Sequence, residues 1–169
     1  MGMSEVGMEE TQERGLSEMA RYAIDTTWYD RHDLSFEEIV RLRMCSSCRA
    51  RLGEEVQERY PVFDRETGQI AYEERTVIYG ANPLKVIRDC CSRQHDFITP
   101  EMPVLEVLFR VLLARGNQPA TLAELREQMA AFCPDGRCRW LLLPLEVLER
   151  LLDDERFYGI QPVRQLAAV

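Results

Sequence analysis

Two groups of metal-binding residue types stand on either side of the middle of the chain. Cys45 and Cys48 form a C-x2-C pair, and the vicinal cysteines Cys90 and Cys91 are closely followed by His95. In a tight turn, the C-x2-C spacing lets two thiolates point at one ion. Cys91 and His95 are four positions apart, so they lie on one face if that segment is helical. The pattern predicts a metal site formed by Cys45, Cys48, Cys91 and His95, with Cys90 as the alternative to Cys91.

This ligand set favours structural zinc, because three thiolates and one imidazole suit a tetrahedral zinc ion. An iron–sulfur cluster held by Cys45, Cys48, Cys90 and Cys91 is the alternative cofactor, although vicinal cysteines seldom both reach one cluster. Two hypotheses without a metal also stay open. The cysteines are then buried, inert thiols, or Cys45 and Cys48 form a redox-active pair.

A β-hairpin is predicted over residues 55–79, between the two halves of the site. The segments VQERYPVF and IAYEERTVIY are rich in aromatic and β-branched residues, and Gly68 between them suits a left-handed turn position. A two-stranded hairpin alone is only marginally stable. A metal ion joining Cys48 to Cys91 would close the loop that contains the hairpin and stabilise a small core.

Four predicted helices carry start signals, and one of these signals is Thr99-Pro100, which precedes an apolar helix predicted over residues 100–115. S-x-x-E at Ser35 and T-x-x-E at Thr121 have the spacing of a capping box, and Asn82 is an N-cap residue followed by proline. The helix after Ser35 is predicted to run towards Met44. The helix after Asn82 is predicted to run through the vicinal cysteines to His95.

The order of knuckle, hairpin and ligand-bearing helix over residues 43–96 resembles a treble-clef zinc finger. In that family the second pair of ligands lies in the first turn of the helix, whereas here it falls late in the helix that begins at Asn82. The resemblance implies a module that is stabilised by zinc.

Residues 100–163 resemble a winged-helix domain. The resemblance rests on an apolar first helix, the TLAEL opening of a second, a third helix in PLEVLERLLDD and a terminal strand in FYGIQPV. It implies a domain that contacts either DNA, through its third helix in the major groove, or another protein. Arg137 and Arg139, just before the third helix, are the candidate nucleic-acid contacts.

The charge balance favours protein contacts over DNA contacts. The formal net charge is −8, whereas nucleic-acid binding usually begins with a basic surface. The acidic residues expected on the exposed face of the third helix, which would repel phosphates, are Glu146, Glu149, Asp153 and Asp154. We therefore favour a small adaptor or regulatory protein that binds another protein. A DNA-binding transcription regulator and a thiol redox protein using Cys45 and Cys48 are the alternatives.

The sequence does not predict an enzyme. His32 and His95 are the two histidines, His95 is assigned as a ligand, and no phosphate-cradling glycine loop or H-E-x-x-H motif is present. A closed zinc site leaves no position for a catalytic water. The acidic N-terminus lacks the apolar core of a secretory signal, and no apolar run is long enough to span a bilayer. We expect a cytoplasmic protein that makes no membrane contact.

The predicted fold class is α+β. The predicted parts are a disordered tail at 1–18, a zinc-binding part at 19–98 with a strand within 20–28, and a winged-helix-like helical part at 99–169. Cys133 and Cys138 are expected to be two plain thiols. Their C-x4-C spacing leaves a labile disulfide or a second metal site as alternatives.

Overall fold

The computed structural model describes residues 19–163 and combines helices with small sheets, which confirms the α+β fold class. The helices are α1 (Thr26–Arg31), α2 (Phe36–Arg41), α3 (Ser46–Ala50), α4 (Pro83–Asp89), α5 (Val104–Ala114), α6 (Leu122–Ala131) and α7 (Leu145–Asp153). The strands are β1 (Arg21–Ile24), β2 (Glu55–Phe63), β3 (Ile70–Ile78), β4 (Ala120–Thr121) and β5 (Ile160–Pro162). Two 3₁₀ turns cover Cys91–Arg93 and Arg139–Leu142. The tail predicted at 1–18 lies outside the described residues.

Three of the predicted helix starts are confirmed by their capping hydrogen bonds, whereas the start predicted at Thr99-Pro100 is wrong, because that helix begins at Val104 after Pro103 and has no side-chain cap. The Ser35 hydroxyl accepts from the Glu38 N–H at 3.3 Å, and the Asn82 side chain accepts from the Lys85 N–H at 3.3 Å. Thr121 makes the reciprocal capping box that begins α6. Each cap satisfies an N–H group that the first turn of a helix leaves without an intrahelical partner.

Two predicted helices end earlier than expected. The helix after Ser35 ends at Arg41, and a separate short helix, α3, begins directly after Cys45. The helix after Asn82 ends at Asp89, so the prediction that it continues to His95 is wrong. The chain leaves α4 at Cys90, whose φ of −132° and ψ of −65° are not helical. The strand expected within 20–28 is present, but it ends at Ile24.

The three-stranded sheet joins distant parts of the chain. Its order is β4-β1-β5, and both pairings are antiparallel, with Tyr22 opposite Ala120 and Ile24 opposite Ile160. The Asn117 side chain accepts from the Ile24 N–H at 2.8 Å and donates to the Ile24 carbonyl at 2.9 Å. The first described strand is therefore held at the centre of a sheet whose other strands follow α5.

One hydrophobic core connects these elements. The buried residues of α5 are Val107, Leu108, Phe109, Val111, Leu112 and Leu113. Ile87 of α4, Leu125 of α6 and Leu148 of α7 are fully buried in the same cluster. Side chains from both predicted parts, 19–98 and 99–169, thus share this core, and the boundary between the parts stays a prediction. Among residues 19–163, none of the helices has the length and apolar character needed to cross a membrane.

The predicted hairpin is present with a continuous register. Nine pairs join β2 to β3, from Glu55 opposite Ile78 to Phe63 opposite Ile70. Gly68 in the connecting turn has a φ of +70°, a conformation that glycine adopts without strain. Both strands are exposed over most of their length. The hairpin therefore extends away from the core and is anchored at its base, next to the cysteines.

Candidate metal centre

The first pair of cysteines lies at the start of α3. Cys45 is the N-cap residue of this helix, with a φ of −64° and a ψ of 158°, and Cys48 lies in its first turn. The Cys45 carbonyl accepts from the Arg49 N–H at 3.0 Å, which closes the turn between the two thiols. This geometry is a short knuckle rather than the end of a longer helix. It brings two thiols to one site from four consecutive residues.

The second pair lies where α4 ends. The non-helical backbone at Cys90 separates α4 from the 3₁₀ turn that begins at Cys91. In a continuous helix, neighbouring side chains would point about 100° apart around the axis. The break at Cys90 instead allows both neighbours to approach the knuckle. Cys90 is partly buried, and Cys91 is fully buried.

The sulfur atoms of both pairs meet at one place. The Sγ atoms of Cys45, Cys48 and Cys90 all lie within 4.8 Å of one another. The Cys91 Sγ lies 3.6 Å from the Cys45 Sγ. With Zn–S bonds of about 2.3 Å, two sulfurs of a tetrahedral site are roughly 3.8 Å apart. The three thiols of Cys45, Cys48 and Cys90 are therefore close enough together to hold a metal ion, and Cys91 is next to this group through its contact with Cys45.

Polar groups of the hairpin base and the knuckle also contact the thiols. The Tyr79 hydroxyl donates to the Cys48 Sγ at 3.1 Å, and the Cys45 N–H donates to the Cys91 Sγ at 3.3 Å. The Arg51 guanidinium lies over the Tyr79 ring, 4.2 Å from its centroid. Such donors stabilise the thiolate form and fix the orientation of metal ligands. No motif in the sequence singles out Tyr79, because its contact depends on how the hairpin folds back to the knuckle.

Burial and contacts with neighbouring groups shift the pKa values of the thiols, downward at Cys48 and upward at Cys90 and Cys91. Burial acts to raise the pKa of Cys48, but hydrogen bonds from Tyr79 and the neighbouring thiols outweigh burial, so this pKa lies below its ordinary value. The hydrogen bond with Cys48, followed by burial, raises the pKa of Cys90 to about 11. Burial is the main cause that raises the pKa of Cys91. The thiolate form is therefore favoured at Cys48, whereas ionisation of Cys90 and Cys91 needs a compensating positive charge such as a metal ion.

The structure does not bring His95 into this group. The residue is exposed and lies in the turn after the 3₁₀ segment Cys91–Arg93. Cys90, the alternative third ligand in the sequence analysis, belongs to the thiol group, and Cys91 contacts Cys45. Of the predicted ligands, Cys45 and Cys48 therefore lie together, the third member of their group is the alternative Cys90, and Cys91 lies next to the group through its contact with Cys45.

The remaining cysteines form a disulfide, so the prediction that Cys133 and Cys138 are plain thiols is wrong. The P-D-G turn between them reverses the chain, and the Asp135 carboxylate accepts from the Arg137 N–H at 3.1 Å inside this loop. The turn places both sulfurs side by side, so the disulfide that the C-x4-C spacing left as an alternative is the arrangement present. Arg137 and Arg139 are exposed on either side of Cys138.

Comparison with known proteins gave no match: no protein-family model, no curated protein and no solved structure is significantly similar to this chain.

Proposed function

We propose that Cys45, Cys48, Cys90 and Cys91 bind one structural zinc ion in a small cytoplasmic protein that acts through contacts with another protein. The observation that carries this proposal is the meeting of three sulfurs within 4.8 Å, with the fourth 3.6 Å from Cys45. A metal at this place joins the knuckle, the hairpin base and the end of α4. Structural zinc contributes about 10–16 kcal/mol of apparent folding free energy in small modules.

The sulfur spacing favours one ion over an iron–sulfur cluster. A cluster places several iron and sulfide atoms between its cysteine ligands. In such clusters at most two cysteines bind the same iron atom, whereas the three sulfurs of Cys45, Cys48 and Cys90 all lie within 4.8 Å of one another, which suits one shared ion. Zinc prefers such a thiolate-rich tetrahedral set and has no redox activity of its own.

The character of the ligands favours a structural role over a catalytic one. Four protein ligands complete a tetrahedral zinc site, whereas catalytic zinc keeps a position for water. Cys48 and Cys91 are buried, which limits access of a substrate to the ion. The bound ion also protects the thiols from the redox chemistry that the C-x2-C spacing alone would allow.

Charge supports a protein partner rather than DNA. On α7, which follows the candidate contacts Arg137 and Arg139, the exposed acidic residues Glu146, Asp153 and Asp154 would face a phosphate backbone. The formal net charge of −8 acts in the same direction. In this proposal the winged-helix-like part, residues 99–169, contacts a protein partner and not DNA.

Elemental analysis of protein purified without added metal tests the metal assignment. We expect one zinc per chain, which is retained in His95→Ala and lost in Cys48→Ser. Loss of zinc in His95→Ala would favour the Cys3His set instead. Sub-stoichiometric metal in the wild type, together with unchanged folding in a chelator, would refute the site.

Two further assays test the mode of action. Retention on duplex DNA at low salt that decreases with added salt would favour a transcription regulator over the proposed adaptor. Rapid alkylation of the as-purified protein would favour a thiol redox protein. We expect no DNA retention, and alkylation of the four cysteines only after the ion is removed.

A further inference from the structure

The outer edge of β3 is open. In the described part of the chain β3 pairs only with β2, and all of its residues except Val77 are exposed. Hydrogen bonds at the two ends of the hairpin, from the Asp64 N–H to the Gln69 carbonyl and from the Tyr79 N–H to the Glu54 carbonyl, fix the ladder. Every second residue of β3 therefore uses its backbone N–H and C=O groups to bond to β2, and the residues between them point these groups away from β2. The residues whose N–H and C=O groups point outward are Ile70, Tyr72, Glu74, Thr76 and Ile78.

The opposite edge, on β2, is interrupted. Pro61 lies opposite Tyr72, at a position where the backbone nitrogen faces outward. Proline has no N–H group, so it removes a donor from the middle of this edge. Edge prolines are a common protection against the addition of another strand. β3 contains no proline and offers nine residues for pairing.

The β3 sequence complements itself when two copies run antiparallel with the two-fold axis at Glu74. Glu73 then lies opposite Arg75 of the partner subunit, and this pair occurs twice by symmetry. Ile70 lies opposite Ile78 of the partner subunit. Opposite charges and apolar pairs across strands are stabilising. The single unfavourable pair is Glu74 with its own copy, and Arg59, whose Nε lies 3.9 Å from Glu74, offsets part of this repulsion.

Neighbouring registers are less favourable, which makes the pairing specific. Moving the axis to residue 73 places Glu73 opposite its own copy, and moving it to residue 75 does the same for Arg75. Both shifts also shorten the ladder. One face of the hairpin already carries exposed apolar side chains near its tip, including Tyr72 at 65% and Ile70 at 62% exposure. Pairing at residue 74 brings Ile78 of the partner subunit next to this apolar face.

We propose that β3 pairs with β3 of a second copy of this chain, so that two hairpins form one four-stranded antiparallel sheet. A two-stranded hairpin is marginal in water, whereas three or more strands with an apolar face are stable. Edge-to-edge pairing of this kind is isologous, as the interfaces of closed two-fold dimers are. The inference does not depend on the identity of the metal or on the proposed adaptor role.

Sedimentation equilibrium of the full, as-purified chain tests the inference, and we expect a dimer. Glu74→Pro removes the central outward N–H of β3 and should give a monomer. Arg59→Pro is the matched control, because it removes an outward N–H of β2 at the position opposite Glu74 and breaks the same ion pair. This control should stay dimeric. A monomeric wild type, or a folded Arg59→Pro variant that is as monomeric as Glu74→Pro, would overturn the proposal.

Glu74→Gln tests the register without risk to the fold. It removes the one like-charge pair at the two-fold axis, so the dimer should tighten by about two- to fivefold in Kd, the range expected for one cross-strand pair. Unchanged or weaker dimerisation of Glu74→Gln would overturn the register even if the proline variants unfold. Far-UV circular dichroism of each variant reports whether the fold is retained.

Discussion

Glu106 of α5 lies at the centre of an ion-pair cluster, and its substitution should destabilise the fold. Its carboxylate accepts from Arg43 Nε at 2.8 Å, from Arg43 Nη2 at 2.9 Å and from Arg110 Nε at 2.8 Å, and its side chain is only 14% exposed. Arg43 also lies over the Phe109 ring, 4.6 Å from its centroid. This cluster fixes the chain just before Cys45 onto the core helix.

We expect Glu106→Gln to lower the free energy of unfolding by about 3 kcal/mol, measured by urea denaturation. The neutral amide leaves two nearly buried arginines without a counter-charge, and removal of one member of a buried ion pair typically costs about 3–5 kcal/mol. The remaining exposure of the side chains favours the lower end of that range. A loss of this size is a large part of the stability of an ordinary domain.

Glu37→Gln is the matched control. Glu37 makes an ion pair with Arg41 at 3.3 Å, but its side chain is 62% exposed. Exposed pairs of this kind contribute between about 0 and 1 kcal/mol. If Glu106→Gln is no more destabilising than Glu37→Gln, the proposed anchoring of the knuckle segment by the Arg43–Glu106 pair is wrong.

The same carboxylate gives a pH dependence. Burial acts to raise the pKa of Glu106, but hydrogen bonds from Arg43 and Arg110 outweigh it and hold the pKa below its ordinary value of 4.5. A lowered folded-state pKa contributes stability above pH 4.5, and this contribution is lost as the pH falls through the folded pKa. The wild type should therefore lose more stability than Glu106→Gln on acidification below pH 4.5. Parallel losses would contradict this assignment.

Two smaller effects follow from the disulfide and from one turn. Reduction of the Cys133–Cys138 bond should lower the free energy of unfolding by about 2 kcal/mol, because the loop that it closes is short; equal urea midpoints with and without reductant would contradict this. Gly80→Ala should lower it by about 1–3 kcal/mol, because Gly80 has a φ of +79° and a Cβ atom there would meet the Leu52 side chain. Gly68→Ala, at a φ of +70° with open space around it, should be less destabilising in the same assay.

Local signals made much of the fold predictable. The caps at Ser35, Asn82 and Thr121 are recognisable because their hydrogen bonds join residues that are close in sequence. The hairpin was predictable for the same reason, since alternation and a glycine turn fix its register. The sheet that places β1 between β4 and β5 was not predictable. These strands are short and far apart in the chain, and no local sequence pattern indicates which strands pair.

The metal site was predictable in its residue types but not in its geometry. The C-x2-C knuckle indicated Cys45 and Cys48 correctly as neighbours. The expectation that His95 shares a helical face with Cys91 depended on a helix that continues past Asp89, and the backbone instead turns at Cys90. Helix ends without a glycine or proline signal depend on tertiary contacts, here the approach of the second cysteine pair to the knuckle.

X-ray absorption spectroscopy at the zinc edge of the as-purified protein is the most direct test of the central claim. Four cysteine ligands predict a first shell of four sulfurs at about 2.3 Å and no nitrogen. The spectrum of His95→Ala should be the same, since His95 lies outside the thiol group. A shell of three sulfurs and one nitrogen that changes in His95→Ala, or the absence of bound zinc, would contradict the assignment of Cys45, Cys48, Cys90 and Cys91.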